Sequence, residues 1–309
     1  MALFVVELAG SAIILLVASQ IVFKQVSNIA NALRVPSFVV SLLLVAFSTS
    51  IPELFVGVTS AIQGTPSFSL GDIFGSNIVN LTFISGLVIL LGRKEITLPE
   101  NISSKLLLST FAIASAPVFL ILDGTLSRFD GLLLLTIYFL YLFFIISGHR
   151  KTFDSQRKDA DLSRSLTLFF VGAAFLIASS EAIIRVASGI SHDFHITPFI
   201  VGVFAIAFST SLPELTFGLR SAFQRTPELS LGDVVGSSAV NASGILGLVA
   251  FMHPITPLAL DGVLLTGFFG IFVFLVFFLL VGRGKVKASR GAILLILYLI
   301  FASFNLAAR

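Results

Sequence analysis

The sequence contains no cysteine and little charge. None of its 309 residues is cysteine, and only 11% are Asp, Glu, Lys or Arg. The lack of cysteine excludes disulfide bonds, thiolate metal sites and thiol catalysis. Soluble domains carry about 25% charged residues, so the low charge excludes a disordered chain and an ordinary soluble enzyme. The chain is instead apolar, with 56% hydrophobic residues and a mean hydropathy of +1.06.

The apolar residues form long runs that predict membrane-spanning helices. Each run is long enough to cross about 30 Å of hydrocarbon as a helix. The runs are continuously apolar rather than alternating, which disfavours transmembrane strands. We therefore predict an all-α polytopic membrane protein with no sizeable aqueous domain. The ten predicted transmembrane helices are 4–30, 37–62, 70–92, 104–122, 131–148, 165–190, 197–223, 231–252, 257–282 and 290–308.

The basic residues predict the orientation of these spans, because Lys and Arg concentrate in cytoplasmic loops. With the N-terminus outside, 16 of the 19 Lys and Arg residues lie in inner loops or the adjoining helix ends. Both termini are then outside and the polar loop 149–164 is cytoplasmic. The basic residues that give the chain its net charge of +3 thus mark the cytoplasmic side of the membrane. They do not form the basic patch that nucleic-acid binding requires. The first span lacks a basic n-region and a clear cleavage site, so we expect a mature helix and not a signal peptide.

A long internal repeat divides the chain into two halves. Residues 46–86 align without a gap on residues 207–247, an offset of 161, and 24 of the 41 positions are identical. Each half holds five spans, an odd number, so the second half enters the membrane in the opposite orientation. Such inverted repeats place a substrate site near the midplane where the halves meet. We predict a first five-helix repeat at 1–148, a cytoplasmic linker at 149–164 and a second five-helix repeat at 165–309.

The second span of each half carries a polar break that ends in a glutamate. The segments are Ser-Thr-Ser-Ile-Pro-Glu, ending at Glu53, and Ser-Thr-Ser-Leu-Pro-Glu, ending at Glu214. A proline inside a helix removes one N–H and frees carbonyl oxygens of the preceding turn, and a bound cation is one partner for them. A lone carboxylate at the midplane costs several kcal/mol unless it is paired, protonated or coordinated. The paired glutamates therefore indicate a cation site.

The third span of each half adds hydroxyl, amide and carboxylate oxygens. Asp72, Ser76 and Asn80 are spaced four apart on one helix face, as are Asp233, Ser237 and Asn241. Hard cations such as Ca²⁺ take about 6–8 oxygen ligands. Single Ser, Asn and Gly residues also serve helix packing in membranes, which is the expectation for Gly71, Gly75, Gly232 and Gly236. For the two aspartates, capping of a helix start is the favoured interpretation, and a vestibule or proton-sensitive role is the alternative.

These paired segments resemble the α-1 and α-2 repeats of the cation/calcium antiporter superfamily. The chain is most similar to its compact prokaryotic sodium/calcium exchangers, and the resemblance covers essentially the whole sequence. It implies a prokaryotic plasma (inner) membrane protein that alternates access by moving its first and sixth helices across a fixed core. Some members have an aspartate at one position of the midplane polar pair, whereas this sequence has asparagine at both.

The resemblance also implies a set of ion ligands. Glu53 and Glu214 match the central carboxylates, and four serines match the hydroxyl ligands. Backbone carbonyls come from two alanines and two threonines, and the asparagines form the midplane pair. The remaining implied positions are Ser50, Ser76, Ser211, Ser237, Ala46, Thr49, Ala207, Thr210, Asn80 and Asn241.

The predicted function is secondary active antiport, with Ca²⁺ leaving in exchange for entering Na⁺. With both glutamates ionised the site carries −2, which one Ca²⁺ neutralises and several Na⁺ can replace. The alternative is H⁺/Ca²⁺ exchange, in which the glutamates take up protons when Ca²⁺ leaves. A passive cation channel would not need the inversion, and a membrane enzyme lacks support because neither HExxH nor GxSxG occurs. The partners expected are Ca²⁺, Na⁺ and the lipid bilayer, with no nucleic acid, no cofactor and no obligate protein partner.

Overall fold

The computed structural model describes residues 2–32, 49–92, 96–97, 104–148, 162–282 and 285–307. These residues are almost entirely helical, which confirms the all-α prediction, and the helices lie where the apolar runs predict them. The first half contains α1 (Ala2–Ala32), α2 (Ile51–Ile62), α3 (Ser67–Leu91), α4 (Ser104–Leu120) and α5 (Arg128–Gly148). The second half contains α6 (Leu162–Phe194), α7 (Pro198–Thr210), α8 (Leu212–Phe223), α9 (Pro227–Met252), α10 (Leu260–Val281) and α11 (Ala288–Ala307).

Several helices meet the length and composition needed to cross a membrane. Among the described residues, five do so alone, and α7 with α8 makes a sixth if the bent pair is one span. Large apolar side chains such as Phe139 and Phe144 are exposed on the outer surface, as expected where lipid replaces water as the solvent. The five described helices that are long and apolar enough to span a membrane alone are α3, α6, α9, α10 and the stretch Leu3–Val26 of α1.

The two halves are interleaved and do not sit side by side. Helix α1 packs along α6, and the pair runs antiparallel, because Gly189 of α6 lies against Phe4 while Gly172 lies against Val22. Helix α3 packs on α7 of the other half. A Cβ on Gly71 would overlap the backbone of Phe199. The glycines at 71 and 75 are therefore packing residues, as expected, since they let the backbones of α3 and α7 touch. For Gly236 the same expectation is wrong, because a Cβ there would have no described atom within 4 Å.

Two short pairings between connecting segments join the halves at their edges. Strand β1 (Ile96–Thr97), which precedes α4, pairs antiparallel with β2 (Lys285–Val286), which precedes α11. An isolated bridge joins Leu126 to Ile255 through two backbone hydrogen bonds of 2.9 and 3.0 Å. The apolar side chains at both pairings are buried. Each pairing thus links a connection of the first half to one of the second.

In the described part of the chain, three helices contain π-helical turns, which the sequence does not predict. The turns are Asn80–Ile84 in α3, Gly202–Ile206 in α7 and Val240–Ile245 in α9. The first and third occupy matching positions of the repeat. Such turns insert one extra residue per turn and are frequent at functional sites.

Candidate functional site

The second span of the second half is broken at Ser211. Helix α7 ends at Thr210, α8 begins at Leu212, and their axes are bent by 45°. Pro213 is the second residue of α8, where its missing N–H needs no partner. The predicted break is thus present, but Pro213 lies in the first turn of a new helix and not inside a helix as expected, because the helix stops and restarts.

The first half has the same arrangement where it is described. Thr49 and Ser50 form a turn, and α2 begins at Ile51 with Pro52 in its first turn. The backbone angles of Ser50 (φ −86°, ψ 10°) and Ser211 (φ −79°, ψ 6°) are nearly the same. Ala46, which was predicted to supply a backbone carbonyl, lies outside the described residues.

Glu53 and Glu214 lie in the first turns of the two restarted helices, at their N-terminal ends. Their exposed fractions are 0% and 1%. Free N–H groups make a helix N-terminus electropositive, which favours a carboxylate there. A buried negative charge is costly unless it is paired, protonated or coordinated, and a bound cation would reduce that cost.

The predicted site holds most of the unpaired buried polar atoms of the described chain. Within the described residues, 14 buried side-chain nitrogen or oxygen atoms have no hydrogen-bond partner. Nine of the 14 belong to five predicted site residues. Buried polar groups are almost always satisfied in native proteins, so this concentration indicates a place shaped for a ligand. The five residues are Glu53, Asn80, Ser211, Glu214 and Asn241.

The helices that carry the glutamates pack on the π-helical turns of the opposite half. Helix α2 contacts the turn Val240–Ile245, which contains Asn241, and α8 contacts the turn Asn80–Ile84, which begins at Asn80. The side chains of both asparagines are fully buried. The fold therefore combines a broken span from one half with a distorted third span from the other.

Asp72 and Asp233 do not cap their helices, so that interpretation is wrong. Helix α3 begins at Ser67 and α9 at Pro227, and both aspartates lie more than one turn inside. Instead, each accepts a hydrogen bond from a threonine of the other half. Thr210 Oγ1 donates to Asp72 Oδ1 at 2.8 Å, and Thr49 Oγ1 donates to Asp233 Oδ1 at 3.3 Å. The repeated Gly-Asp dipeptide was the sequence signal for these contacts, but only the fold supplies the partner.

The remaining predicted hydroxyls occupy different environments. Ser76 Oγ donates to Asp72 Oδ1 at 3.2 Å and lies 3.3 Å from Thr210 Oγ1. Ser237, its counterpart in the repeat, donates to the backbone oxygen of Val234 at 3.2 Å. Ser50 and Ser237 are buried, as is Ala207. The structure thus brings Ser76 and Thr210 together across the halves.

A cation at this place would be held mainly by neutral oxygens. In the described part of the chain, no three His, Cys, Asp or Glu side chains are grouped so as to hold a metal ion. Two carboxylates are available from Glu53 and Glu214, and further ligands would have to be hydroxyl, amide or backbone oxygens. Such an all-oxygen set suits hard cations such as Ca²⁺.

Comparison with known proteins assigns the chain to a family of transporters. A model of the family described as "Sodium/calcium exchanger protein" matches residues 3–147 and 164–307. The chain is 25% identical to the sodium/calcium exchanger MaX1 of Methanosarcina acetivorans, over 96% of this chain and 97% of that one. It is 27% identical to the inner membrane protein YrbG of Escherichia coli, over 82% and 81% of the two chains.

A solved structure has the same fold. The structure of the sodium-calcium exchanger NCX_Mj, soaked with Na⁺ and Sr²⁺, aligns with a TM-score of 0.68 at 24% sequence identity. The alignment covers 98% of each chain. The arrangement of helices described above is therefore one that a solved membrane protein also adopts.

Proposed function

This chain belongs to the sodium/calcium exchanger family, and on that premise we propose that it exports Ca²⁺ in exchange for Na⁺ through a site at the membrane midplane. The predicted resemblance to compact prokaryotic exchangers is confirmed. The chain is an integral membrane protein, and its family is one of ion-transporting antiporters and not of enzymes. The coupling ion, the site and the topology are the proposed parts.

The proposed architecture is ten transmembrane helices in two inverted five-helix repeats. The first repeat is 1–148, the linker is 149–164 and the second repeat is 165–309. A contact between positions 161 residues apart supports this, because a pseudo-two-fold axis brings equivalent residues together only where they lie near it. Asn77 Nδ2 donates to the backbone oxygen of Ser238 at 3.5 Å, and these two residues occupy equivalent positions of the repeat.

The proposed ion ligands are drawn from both halves. The observation that carries the proposal is the concentration of unpaired buried polar atoms on Glu53, Asn80, Ser211, Glu214 and Asn241. Leaving such atoms unsatisfied costs about 1–3 kcal/mol each, and a bound cation removes part of that cost. The remaining proposed ligands are Ser50, Ser76, Ser237 and the backbone oxygens of Ala46, Thr49, Ala207 and Thr210.

Competition for these oxygens couples the two ion fluxes. One Ca²⁺ neutralises the two glutamates together, whereas several Na⁺ ions can take the carboxylate, hydroxyl, amide and backbone oxygens individually. Because both cannot occupy the same ligands at once, entry of Na⁺ displaces Ca²⁺. No separate cofactor takes part in this scheme.

H⁺/Ca²⁺ exchange is the second candidate, and one observation favours it. Two further carboxylates, those of Asp72 and Asp233, accept hydrogen bonds from Thr210 and Thr49 beside the breaks. These groups and the two glutamates could take up protons when Ca²⁺ leaves. These carboxylates could therefore couple Ca²⁺ transport to protons. Na⁺ coupling is the first candidate because it also uses the neutral oxygens around them.

The proposed location is the inner membrane of a prokaryote, with both termini outside and the 149–164 loop in the cytoplasm. The similarity to YrbG, which is named an inner membrane protein, and the distribution of Lys and Arg support this. Residues 149–161 of the loop lie outside the described part of the chain. Helix α6 already begins at Leu162, so the last residues of the predicted linker are helical.

The experiment that tests the proposal is ion flux in reconstituted vesicles. Vesicles with the purified chain are loaded with Na⁺, with K⁺ or with buffer at a lower pH, and uptake of ⁴⁵Ca²⁺ is followed at a fixed external pH. Uptake that requires internal Na⁺ supports Na⁺ coupling. Uptake driven by the pH gradient alone would replace it with H⁺ coupling, and uptake without any countergradient would indicate a channel.

A further inference from the structure

Among the described residues, two hydrogen bonds between the halves are accepted by aspartates that are not among the proposed ion ligands. Asp72 Oδ1 accepts from Thr210 Oγ1 at 2.8 Å and from Ser76 Oγ at 3.2 Å. Asp233 Oδ1 accepts from Thr49 Oγ1 at 3.3 Å. Residues 49 and 210 are separated by 161, as are 72 and 233. The two bonds are thus equivalent under the repeat, and both connect a third span to the broken span of the opposite half.

Each threonine occupies the position next to the break. Thr210 directly precedes Ser211, and Thr49 directly precedes Ser50. At Ser211 the chain leaves one helix and enters the next. The Ser211 N–H still donates to the Ala207 oxygen and the Ser211 oxygen still accepts from the Leu215 N–H, both at 3.0 Å, but Pro213 has no N–H to donate to the carbonyl four residues before it. The peptide groups just before the break are therefore only partly held by helical hydrogen bonds. A bond from the neighbouring side chain to a fixed point on another helix can supply that constraint.

The aspartates are suited to be that fixed point. Asp72 is fully buried and lies well inside α3, and α3 is held against α7 through Gly71 and Gly75. Capping does not explain either aspartate, because both lie beyond the first turn. The hydroxyl of Thr210 is engaged with Asp72, so it is the backbone oxygen of this residue that is available to a cation.

We propose that Asp72 and Asp233 are positioning residues, each of which holds the threonine beside the break of the opposite half and thereby orients its backbone oxygen toward the transported cation. The aspartates act through Thr210 and Thr49 and do not bind the ion. The inference rests on the proposed function, because it assigns these residues a role in the same site. The inference adds that each half of the chain orients an ion-binding backbone oxygen of the other half.

The test uses variants that separate the hydrogen bond from the charge. Asp72→Asn keeps an acceptor oxygen and removes the charge, whereas Asp72→Leu removes the acceptor. Thr210→Ser keeps the hydroxyl, whereas Thr210→Val removes it with almost no change in shape. Thr266→Val is the matched control, since Thr266 is also buried and donates only to a backbone oxygen of its own helix, that of Gly262.

The measurement is the Ca²⁺ concentration at half-maximal ⁴⁵Ca²⁺ uptake, together with the maximal rate, in reconstituted vesicles. We expect Thr210→Val and Asp72→Leu each to raise the half-saturating concentration by about tenfold, because each change leaves the other partner of a buried hydrogen bond unsatisfied. The double variant should be no worse than the worse single variant, because both changes remove the same bond. Thr210→Ser and Asp72→Asn should recover most of the loss, and Thr266→Val should not shift the concentration.

Two results would overturn the inference. If Asp72→Asn is as impaired as Asp72→Leu, the charge itself acts on the transported ion. If the effects of Thr210→Val and Asp72→Leu multiply in the double variant, the residues act independently. If Asp72→Leu does not fold, Thr210→Val tests the inference alone. A half-saturating Ca²⁺ concentration equal to that of the wild-type chain would then overturn it.

The outcome also separates this inference from the proposed function. A wild-type chain without countergradient-driven Ca²⁺ uptake would overturn both. A wild-type chain that transports Ca²⁺ while the variants do not follow the expected order would overturn only the role of the aspartates. The pair Asp233 and Thr49 provides an independent repetition in the other half, with Asp233→Asn, Asp233→Leu, Thr49→Ser and Thr49→Val.

Discussion

Replacing Glu53 with glutamine tests the central part of the proposed site. Glutamine keeps the volume of the side chain and one oxygen ligand but removes the charge, so the site changes from −2 to −1. Glu53 is fully buried and has no hydrogen-bond partner among the described residues. A bound Ca²⁺ would then keep one uncompensated positive charge in a buried place.

The size of the effect follows from the burial. Removing one partner of a buried ion pair costs about 3–5 kcal/mol, which corresponds to a loss of about two to four orders of magnitude in Ca²⁺ affinity. At Ca²⁺ concentrations that saturate the wild-type chain, exchange by Glu53→Gln should therefore be abolished. The same argument holds for Glu214, whose exposed fraction is 1%.

Folding should not suffer from this change, which gives the prediction a second readout. Without Ca²⁺, Glu53→Gln removes a charge that is fully buried, so the melting temperature should stay the same or rise. Ca²⁺ at about 100 times its Kd should stabilise the wild-type chain by about 2.7 kcal/mol. That stabilisation should be missing in the variant.

The assays are ⁴⁵Ca²⁺ uptake into Na⁺-loaded vesicles and thermal unfolding in detergent with and without Ca²⁺. Glu7→Gln is the matched control, because Glu7 is exposed near the start of α1. It should behave as the wild-type chain in both assays. Exchange by Glu53→Gln at a near wild-type rate would refute the assignment of the central carboxylate.

Three further predictions concern topology, the asparagine pair and helix packing. A cysteine at Ser155 should react with an impermeant maleimide only from the cytoplasmic side, and one added at the C-terminus only from outside; labelling of both from one side would contradict the inverted arrangement. Asn241→Asp should keep exchange active but lower it as the pH rises and the new carboxyl ionises, whereas Asn241→Leu should impair it at every pH; superimposable pH–rate profiles would restrict Asn241 to packing. Gly71→Ala places a Cβ against the backbone of Phe199 and should destabilise the chain by about 1–3 kcal/mol in thermal unfolding, whereas Gly262→Ala, with no described atom within 4 Å, should be tolerated.

The sequence was sufficient where the information is local or repeated. Apolar runs predict the helices within a few residues because each segment must satisfy its backbone hydrogen bonds within itself in lipid. The repeat identifies Glu53 and Glu214 because their segments are nearly identical over the same length of chain. Both features can be read without knowing which helices touch.

The local form of the broken span needed the structure. A proline in an apolar run predicts a distortion, but it does not distinguish a kink from an interruption. In the second half, one helix ends at Thr210 and the next begins at Leu212, which places Glu214 in the first turn of the new helix. That position brings a carboxylate to the electropositive end of α8, a feature that spacing along the sequence does not contain.

What the sequence by itself determined is the class of protein and the family, and it singled out the two glutamates as candidates for the site, since these depend on composition and on motifs that occur twice. What only the tertiary structure decided is the partner of each polar group across the halves. Asp72 was expected to cap its own helix, and it accepts a hydrogen bond from Thr210, 138 residues further along the chain. The π-helical turns at Asn80 and Asn241 are likewise found only in the folded chain. Such contacts arise when distant segments pack together, and the local pattern of either segment alone does not specify them.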